Sequence, residues 1–271
     1  MEGFVEDLIV HCDVNGSAAT PANNALFESE LTDDALEEKE RKRFHSVAAK
    51  LLYLSKRVRP DIATAVAYLT TRVTIATIRD RSKLNRVMNY VRSTKDECIE
   101  FDSRNSDKKH SLEAFIDASF AVHEDGRSHS GMVLKFAGST ILVRSTKQKI
   151  NSESSTEAEL VSLSDNLRYA LRAHDFITGQ GYDVGPIMVY QDNQSVLAML
   201  KRPDAAPDRN KNMKVRRIKV RDLIKDNEIE IHYMPTDQML ADTMTKQLQG
   251  MKFRSMRDSI LRGAELARGG V

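Results

Sequence analysis

The chain has 271 residues, 41% of them hydrophobic and 30% charged, with a net charge of +2. That is the balance of a water-soluble globular protein with one large or two modest domains. No apolar run approaches the ~20 residues of a membrane span, and the acidic start "MEGFVEDLIVHC" is unlike a secretory signal. The two cysteines, Cys12 and Cys98, have no metal-ligand spacing and suggest no disulfide framework, which points to a reducing compartment.

In chain order, residues 28–40 ("ESELTDDALEEKE") are acidic, and Phe44 to Ser93 reads as helix. "FHSVAAKLLYLSKR" has apolar residues at three- and four-residue steps, and "RPDIATAVAYLTTRV" restarts with Pro60 suited to a first helical turn. A third helix, "SKLNRVMNYVRST", collects Leu84, Val87, Met88 and Val91 on one side. The polar stretch 102–111 looks like a domain boundary.

Beyond it the pattern changes. "LEAFIDASFAV" is a strand, and "SGMVLKFAGSTILVRST" is two strands around a Gly138–Ser139 turn. A helix over about 154–175 follows, capped by Ser154 or Ser155. Then come the strand "PIMVYQD", the short helix "NQSVLAMLK", a helix headed by a basic run, the strand "EIEIHYMP" and the helix "TDQMLADTMTKQL". Three antiparallel strands and a helix–strand–helix–strand–helix series predict a mixed α/β sheet flanked by helices. The segment from Gly250 is basic and is expected to fray.

Four acids fall where elements end or begin. Asp117 follows "EAFI", Asp192 follows "MVYQ", and Asp242 lies in "MLADTMTK". The fourth is in "NSESSTEAELVSLSDNL", from Asn151. At 100° per residue Glu159 shares a face with Leu163, Leu167 and Ala170, whereas Glu157 aligns with Val161, Ser164 and Arg168. Glu159 is therefore expected inward and Glu157 on the surface. An aspartate after a strand is ordinarily a turn former, and spacing alone does not show that the four converge. If they do, crowded carboxylates need a divalent cation, and hard oxygen ligands favour Mg²⁺ or Mn²⁺. Two such ions ~4 Å apart form the clamp for phosphodiester displacement.

From Arg209 to Arg221 the run "RNKNMKVRRIKVR" carries seven basic residues and no acid, which suits a polyanion or a solvated helix face equally. None of the seven histidines has ligand spacing, and His232 reads as a structural strand residue. Asn193 suits either a helix start or a substrate contact.

Five blocks, "LEAFIDASF", "RSHSGMVLKFAG", "STKQKINSESSTEAELVSLS", "VYQDNQSVLAML" and "EIEIHYMPTDQMLADTMTKQL", together resemble the ribonuclease H region that ends copia-type LTR-retrotransposon polyproteins. Upstream, "RFHSVAAKLLYLSKRVRPDIATAVAYLTTRV" is similar to the connector joining that family's reverse transcriptase to its ribonuclease H. The resemblance implies a ribonuclease H-like domain over 111–249, preceded by a mostly helical connector over 1–110 and followed by a basic tail over 250–271. It places the catalytic, metal-binding acids on Asp117, Glu159, Asp192 and Asp242, with two Mg²⁺ or Mn²⁺ ions. The implied reaction is hydrolysis of the RNA strand of an RNA–DNA hybrid. Lys147, Lys149, Asn193, Arg209, Lys211, Lys214, Arg216 and Arg217 are the expected nucleic-acid contacts.

"FVEDL" resembles the "YVDD" of reverse transcriptases, but the segment after it matches a later part of the family, so no polymerase palm and no DNA polymerisation are expected. A separate polymerase domain is an expected partner, and the expected place is intracellular: cytoplasm, virus-like particle or nucleus. Two departures stand out. Ser119 takes the place of a second acid after Asp117, and Asn212 that of a histidine. The alternative is a catalytically silent nucleic-acid-binding remnant of the same fold. A related transposase or integrase site is disfavoured by the strand order and the "ADTMTK" ending.

Overall fold

The computed structural model describes residues 1–29, 34–101, 110–202 and 211–263. The chain divides into two compact units, one of residues 1–100 with 246–271 and one of residues 101–245. The polar stretch read as a boundary lies mostly outside the described residues. No helix among those described is long and apolar enough to cross a membrane, and Cys12 and Cys98 are free thiols.

The first unit is helical. It contains α1 (Glu2–His11), α2 (Glu38–Arg57), a 3₁₀ turn (Pro60–Ile62), α3 (Ala63–Thr71), α4 (Ile78–Ser93) and α9 (Gly250–Arg262). Pro60 opens the 3₁₀ turn, where its missing N–H costs nothing. Helix α4 starts in a capping box: Thr77 accepts from the Asp80 N–H, and the Asp80 side chain accepts from the Thr77 N–H. Leu84, Val87, Met88 and Val91 are all buried, as their spacing requires. The segment expected to fray is instead α9. Phe253, Met256 and Ile260 recur at three- and four-residue steps and are buried, Tyr90 meets Phe253 edge-on, and Gly263 ends the helix in a left-handed cap. Residues 264–271 lie outside the described residues.

The second unit is a five-stranded sheet of order β3-β2-β1-β4-β5. Its strands are β1 (Leu112–Ser119), β2 (His129–Phe136), β3 (Ser139–Lys147), β4 (Ile187–Gln191) and β5 (Ile229–Tyr233), with α5 (Ser155–Gly179), α6 (Gln194–Leu200), α7 (Lys211–Lys225) and α8 (Asp242–Thr245). The first three strands are antiparallel, and β4 and β5 join in parallel. This is the expected mixed sheet flanked by helices. The β2–β3 turn has positive φ at Ala137 and Gly138, the pairing of a type I′ hairpin. Alternation sends Leu112, Ala114 and Ile116 of β1 into a core shared with Leu160, Leu163 and Leu167 of α5. Each such leucine contributes about 1.5–3 kcal/mol over an exposed one. The opposite phase of β1 carries Glu113, Phe115 and Asp117.

Candidate metal centre

Strand direction explains how distant acids meet. Because β1 and β4 are parallel neighbours, their carboxyl ends lie side by side. Asp117 sits near the end of β1 and Asp192 immediately follows β4. The third acid, Asp242, is the first residue of α8, which packs on β1, β2 and β3. The three offer carboxylate oxygens within 4.8 Å of one another, the one such cluster among the described residues. Asp117 and Asp242 are buried and Asp192 is half-buried, so the cluster opens to solvent on one side.

Glu159 is not in that cluster. It is buried on the second turn of α5, and its Oε2 accepts from Gln191 Nε2 at 3.4 Å. Fully buried Gln191 precedes Asp192, and its Oε1 accepts from the Asn193 N–H at 3.0 Å, so one amide links Glu159 to the turn that carries Asp192. The expectation for Glu157 is corrected: only 5% exposed, it accepts from the Glu153 N–H at 3.0 Å, and its own N–H donates to the capping Ser154. Helix α5 is enclosed around most of its first three turns, so Val161 and Ser164 on the Glu157 face are buried too, and only Arg168 of that face is exposed.

Small polar residues hold the centre together. Ser162 Oγ donates to the Asp117 carbonyl at 2.7 Å, fixing α5 on β1. Ser119, which stands where an acid was expected, donates to the Thr245 carbonyl at 3.0 Å and ties β1 to α8. Thr245 Oγ1 donates to Asp117 Oδ2, and Thr236 Oγ1 donates to Asp192 Oδ2 at 2.8 Å. Gly131, opposite Asp117 in β2, is what lets α8 approach. A Cβ there would lie 2.6 Å from Thr245 Cγ2, 2.7 Å from Met244 Cβ and 3.0 Å from the Ala241 carbonyl. Gly131→Ala is therefore expected to cost about 1–3 kcal/mol, read as a lower urea midpoint at unchanged m-value.

A buried donor chain supports α8 from beneath. Ser145 Oγ donates to the Met244 carbonyl at 2.8 Å, so its oxygen must accept from His129 Nε2–H at 2.7 Å. His129 Nδ1 in turn accepts from His123 Nε2–H at 2.9 Å, and both rings are neutral. Burial, with the Lys147 charge adding to it, holds His123 down to about 4. Burial, followed by His123 and Lys147, holds His129 down to about 3. In the unfolded chain both would take protons near 6.5, so between pH 6.5 and about 4 the unfolded state binds more protons and stability falls with pH. For His129 alone the loss from pH 6.5 to 5 is about 2 kcal/mol at 1.36 kcal/mol per unit. Urea midpoints at pH 7.5 and 5.0 test this, and equal midpoints would contradict it.

The expected nucleic-acid contacts separate. Lys149, Lys211 and Lys214 are exposed. Lys147 is partly covered and pairs with Asp125 at 2.7 Å. Arg216 pairs with Asp165 at 2.6 Å, and its Nε donates to Asn212 at 3.1 Å. Arg217 is corrected: it is fully buried beside Met213 and Val220 on the inner face of α7, out of reach of a duplex. Asn193 caps α6, accepting from the Ser195 and Val196 N–H groups at 2.9 and 3.2 Å. His232 is exposed in β5 and pairs with Glu230 at 3.3 Å. Arg209 lies outside the described residues. Ser119, Gln191 and Thr245 were missed as support for the acids, and only the position of Ser119 beside Asp117 had signalled anything.

The donor set, three carboxylates without sulfur or imidazole, fits a hard divalent cation such as Mg²⁺ or Mn²⁺.

No family model matches the chain. It is 25% identical over 218 residues to the retrovirus-related Pol polyprotein from transposon TNT 1-94 of Nicotiana tabacum, covering 80% of this chain and 16% of that protein. It is 27% identical over 219 residues to the Pol polyprotein from transposon RE2 of Arabidopsis thaliana, covering 80% and 15%. Against the transposon Ty1-JR1 Gag-Pol polyprotein of Saccharomyces cerevisiae it is 23% identical over 232 residues, covering 84% and 13%. The chain thus spans about one sixth of the length of the first of these relatives. Its homologues are Pol polyproteins of Ty1/copia-type transposons, as the sequence blocks implied. Among solved structures it is similar to LC11-RNase H1, at 15% identity and a TM-score of 0.39, covering 50% of this chain and 93% of the other. It is similar also to LC11-RNase H1 in complex with an RNA/DNA hybrid, at 14% and 0.36, covering 49% and 93%.

Proposed function

We propose that the unit of residues 101–245 is a metal-dependent endonuclease that hydrolyses the RNA strand of RNA–DNA hybrids, within a retrotransposon-derived chain. One observation carries the reading: Asp117, Asp192 and Asp242, from three separate elements, bring their carboxylates within 4.8 Å of one another. Such crowding of like charges is unfavourable without a cation. The similarity to transposon Pol polyproteins supports the same reading.

In this reading the three aspartates, with Glu159 behind them, hold two Mg²⁺ or Mn²⁺ ions. Bound there, the ions would supply a water of lowered pKa and offset charge on the leaving oxygen. The buried Asp117 and Asp242 form the fixed wall of the site, and the half-buried Asp192 lies on the side from which a phosphodiester enters. Gln191 keeps Glu159 oriented toward the turn carrying Asp192. Lys149, Lys211 and Lys214 have the exposure to meet duplex phosphates, while Arg216 and Arg217 serve the packing of α7. The products would be a 3′-hydroxyl and a 5′-phosphate.

The test is cleavage of an end-labelled RNA–DNA hybrid by the purified chain with Mg²⁺ or Mn²⁺, beside duplex DNA of the same sequence. Cuts confined to the RNA strand and stopped by EDTA are expected. A hybrid that is bound but left intact would overturn the nuclease reading in favour of a silent nucleic-acid-binding remnant.

A further inference from the structure

We propose that Thr245 is a positioning residue: its hydroxyl holds the Asp117 carboxylate in the orientation that cation binding requires. The inference rests on reading the aspartate cluster as a metal site.

Thr245 is fully buried at the end of α8, and its Oγ1 donates to Asp117 Oδ2. Its backbone is located by other contacts. Ser119 donates to its carbonyl at 3.0 Å, Ser145 donates to the neighbouring Met244 carbonyl at 2.8 Å, and Gly131 makes room for both residues. The hydroxyl is therefore placed by the framework, and Asp117 takes its orientation from the hydroxyl. The last torsion of an aspartate is soft and broad, so a buried donor on one oxygen removes a freedom that cation binding would otherwise have to freeze. A carboxylate oxygen keeps accepting capacity beyond one hydrogen bond, so the contact does not compete with a cation.

Asp192 provides the internal comparison. Thr236 makes the same kind of bond to it at 2.8 Å, but Thr236 is exposed and Asp192 half-buried, so water can replace the hydroxyl. Thr245 and Asp117 are both buried, so bulk water has no such access to their bond. Partners of this kind, one shell out from a metal, typically change affinity 10–100-fold.

The experiment is Mn²⁺ binding to the full chain, followed by loss of the free-ion electron paramagnetic resonance signal, with urea midpoints in EDTA to report folding. Thr245→Val keeps the shape and removes the hydroxyl, and is expected to weaken Mn²⁺ binding about tenfold or more. Thr236→Val should change it less than about threefold. If the valine variant does not fold, Thr245→Ser and Thr245→Ala decide, since both lose the methyl and only serine keeps the hydroxyl. Serine near wild type with alanine weakened supports the proposal. Equal affinities for serine and alanine, or wild-type affinity in the valine variant, overturn it. A role in packing alone would lower the urea midpoint without changing the affinity of folded protein. Wild-type protein that binds no Mn²⁺ overturns this inference and the metal-site reading together. Mn²⁺ binding with the expected threonine effect, but no hybrid cleavage, leaves the inference standing and removes the nuclease reading.

Discussion

Asp192→Asn is expected to lower hybrid cleavage by about 10³-fold while making the metal-free protein more stable. Both effects have one cause. With three carboxylates inside 4.8 Å, each pair repels by about 1 kcal/mol at the dielectric of water and about 3 kcal/mol at an effective value of 20. Asparagine is nearly the same shape and keeps an oxygen to accept from Thr236, so the substitution removes charge without removing packing. Stability in EDTA should therefore rise by about 1 kcal/mol, since Asp192 is half-buried and partly screened. With Mn²⁺ the order reverses, because an amide oxygen is a weak ligand and the variant gains little from the ion. Several kcal/mol of lost charge stabilisation, at 1.36 kcal/mol per tenfold, gives the drop in rate. Single-turnover cleavage and urea midpoints with and without Mn²⁺ measure both. A variant less stable than wild type in EDTA, or cleaving within tenfold of it, would show that the cluster is not built around a cation.

How far the site was legible depends on the range of the interactions that make it. Strand alternation and the turn at Gly138 are local, and the β1–β3 meander follows from them. Helical spacing also turned Glu159 inward, because Leu163, Leu167 and Ala170 share its face and lie in the core. The same arithmetic failed for Glu157, since it assumes one buried face and α5 is enclosed on more than one side by elements distant in sequence. For Arg217 the error was different. Met213, Arg217 and Val220 recur at helical steps and mark an inner face, whereas the charge of the run left a polyanion patch and a solvated face equally open and the resemblance made Arg217 a contact. "TDQMLADTMTKQL" read as one helix, yet α8 has four residues. Burial is continuous from Met239 to Thr245, across both the turn and the four helical residues, so apolar spacing could not mark where the helix begins. Convergence of the aspartates was not readable from spacing, and only the family resemblance implied it, because it follows from β4 pairing parallel to β1 and from α8 packing on β1, β2 and β3.

Replacing Asp61 by asparagine is expected to destabilise the first unit by about 3–5 kcal/mol, the usual cost of removing one partner from a buried ion pair. Arg59 and Asp61 are joined by two parallel bonds, Nε to Oδ1 and Nη2 to Oδ2, each 2.9 Å, and their side chains are almost wholly shielded from water. Tyr90 adds its hydroxyl to Asp61 Oδ2 at 2.7 Å, and Thr94 accepts from Arg59 through its carbonyl at 2.9 Å and its Oγ1 at 2.7 Å. This network pins the 3₁₀ turn that leads into α3 to the end of α4. Burial pushes the Asp61 carboxyl up, but the Arg59 charge, with the Arg59 and Tyr90 hydrogen bonds, more than offsets it, and its pKa lies below the ordinary 3.8. The pair's contribution is therefore complete above pH 3.8 and is lost only as pH falls through that lowered value. In Asp61→Asn an amide NH₂ or its flipped oxygen must face donors on both sides, and the Arg59 charge stays buried without a counter-ion. Arg59→Met makes the opposite error and strands the carboxylate. Because each single change leaves a charge behind, the double variant Arg59→Met/Asp61→Asn should be markedly less destabilised than the sum of the two, with a coupling of about 2–3 kcal/mol. Urea unfolding of the four proteins at pH 7 closes the cycle. Additive losses would mean that the pair acts through packing, and that the charges in the first unit's core are incidental to its stability.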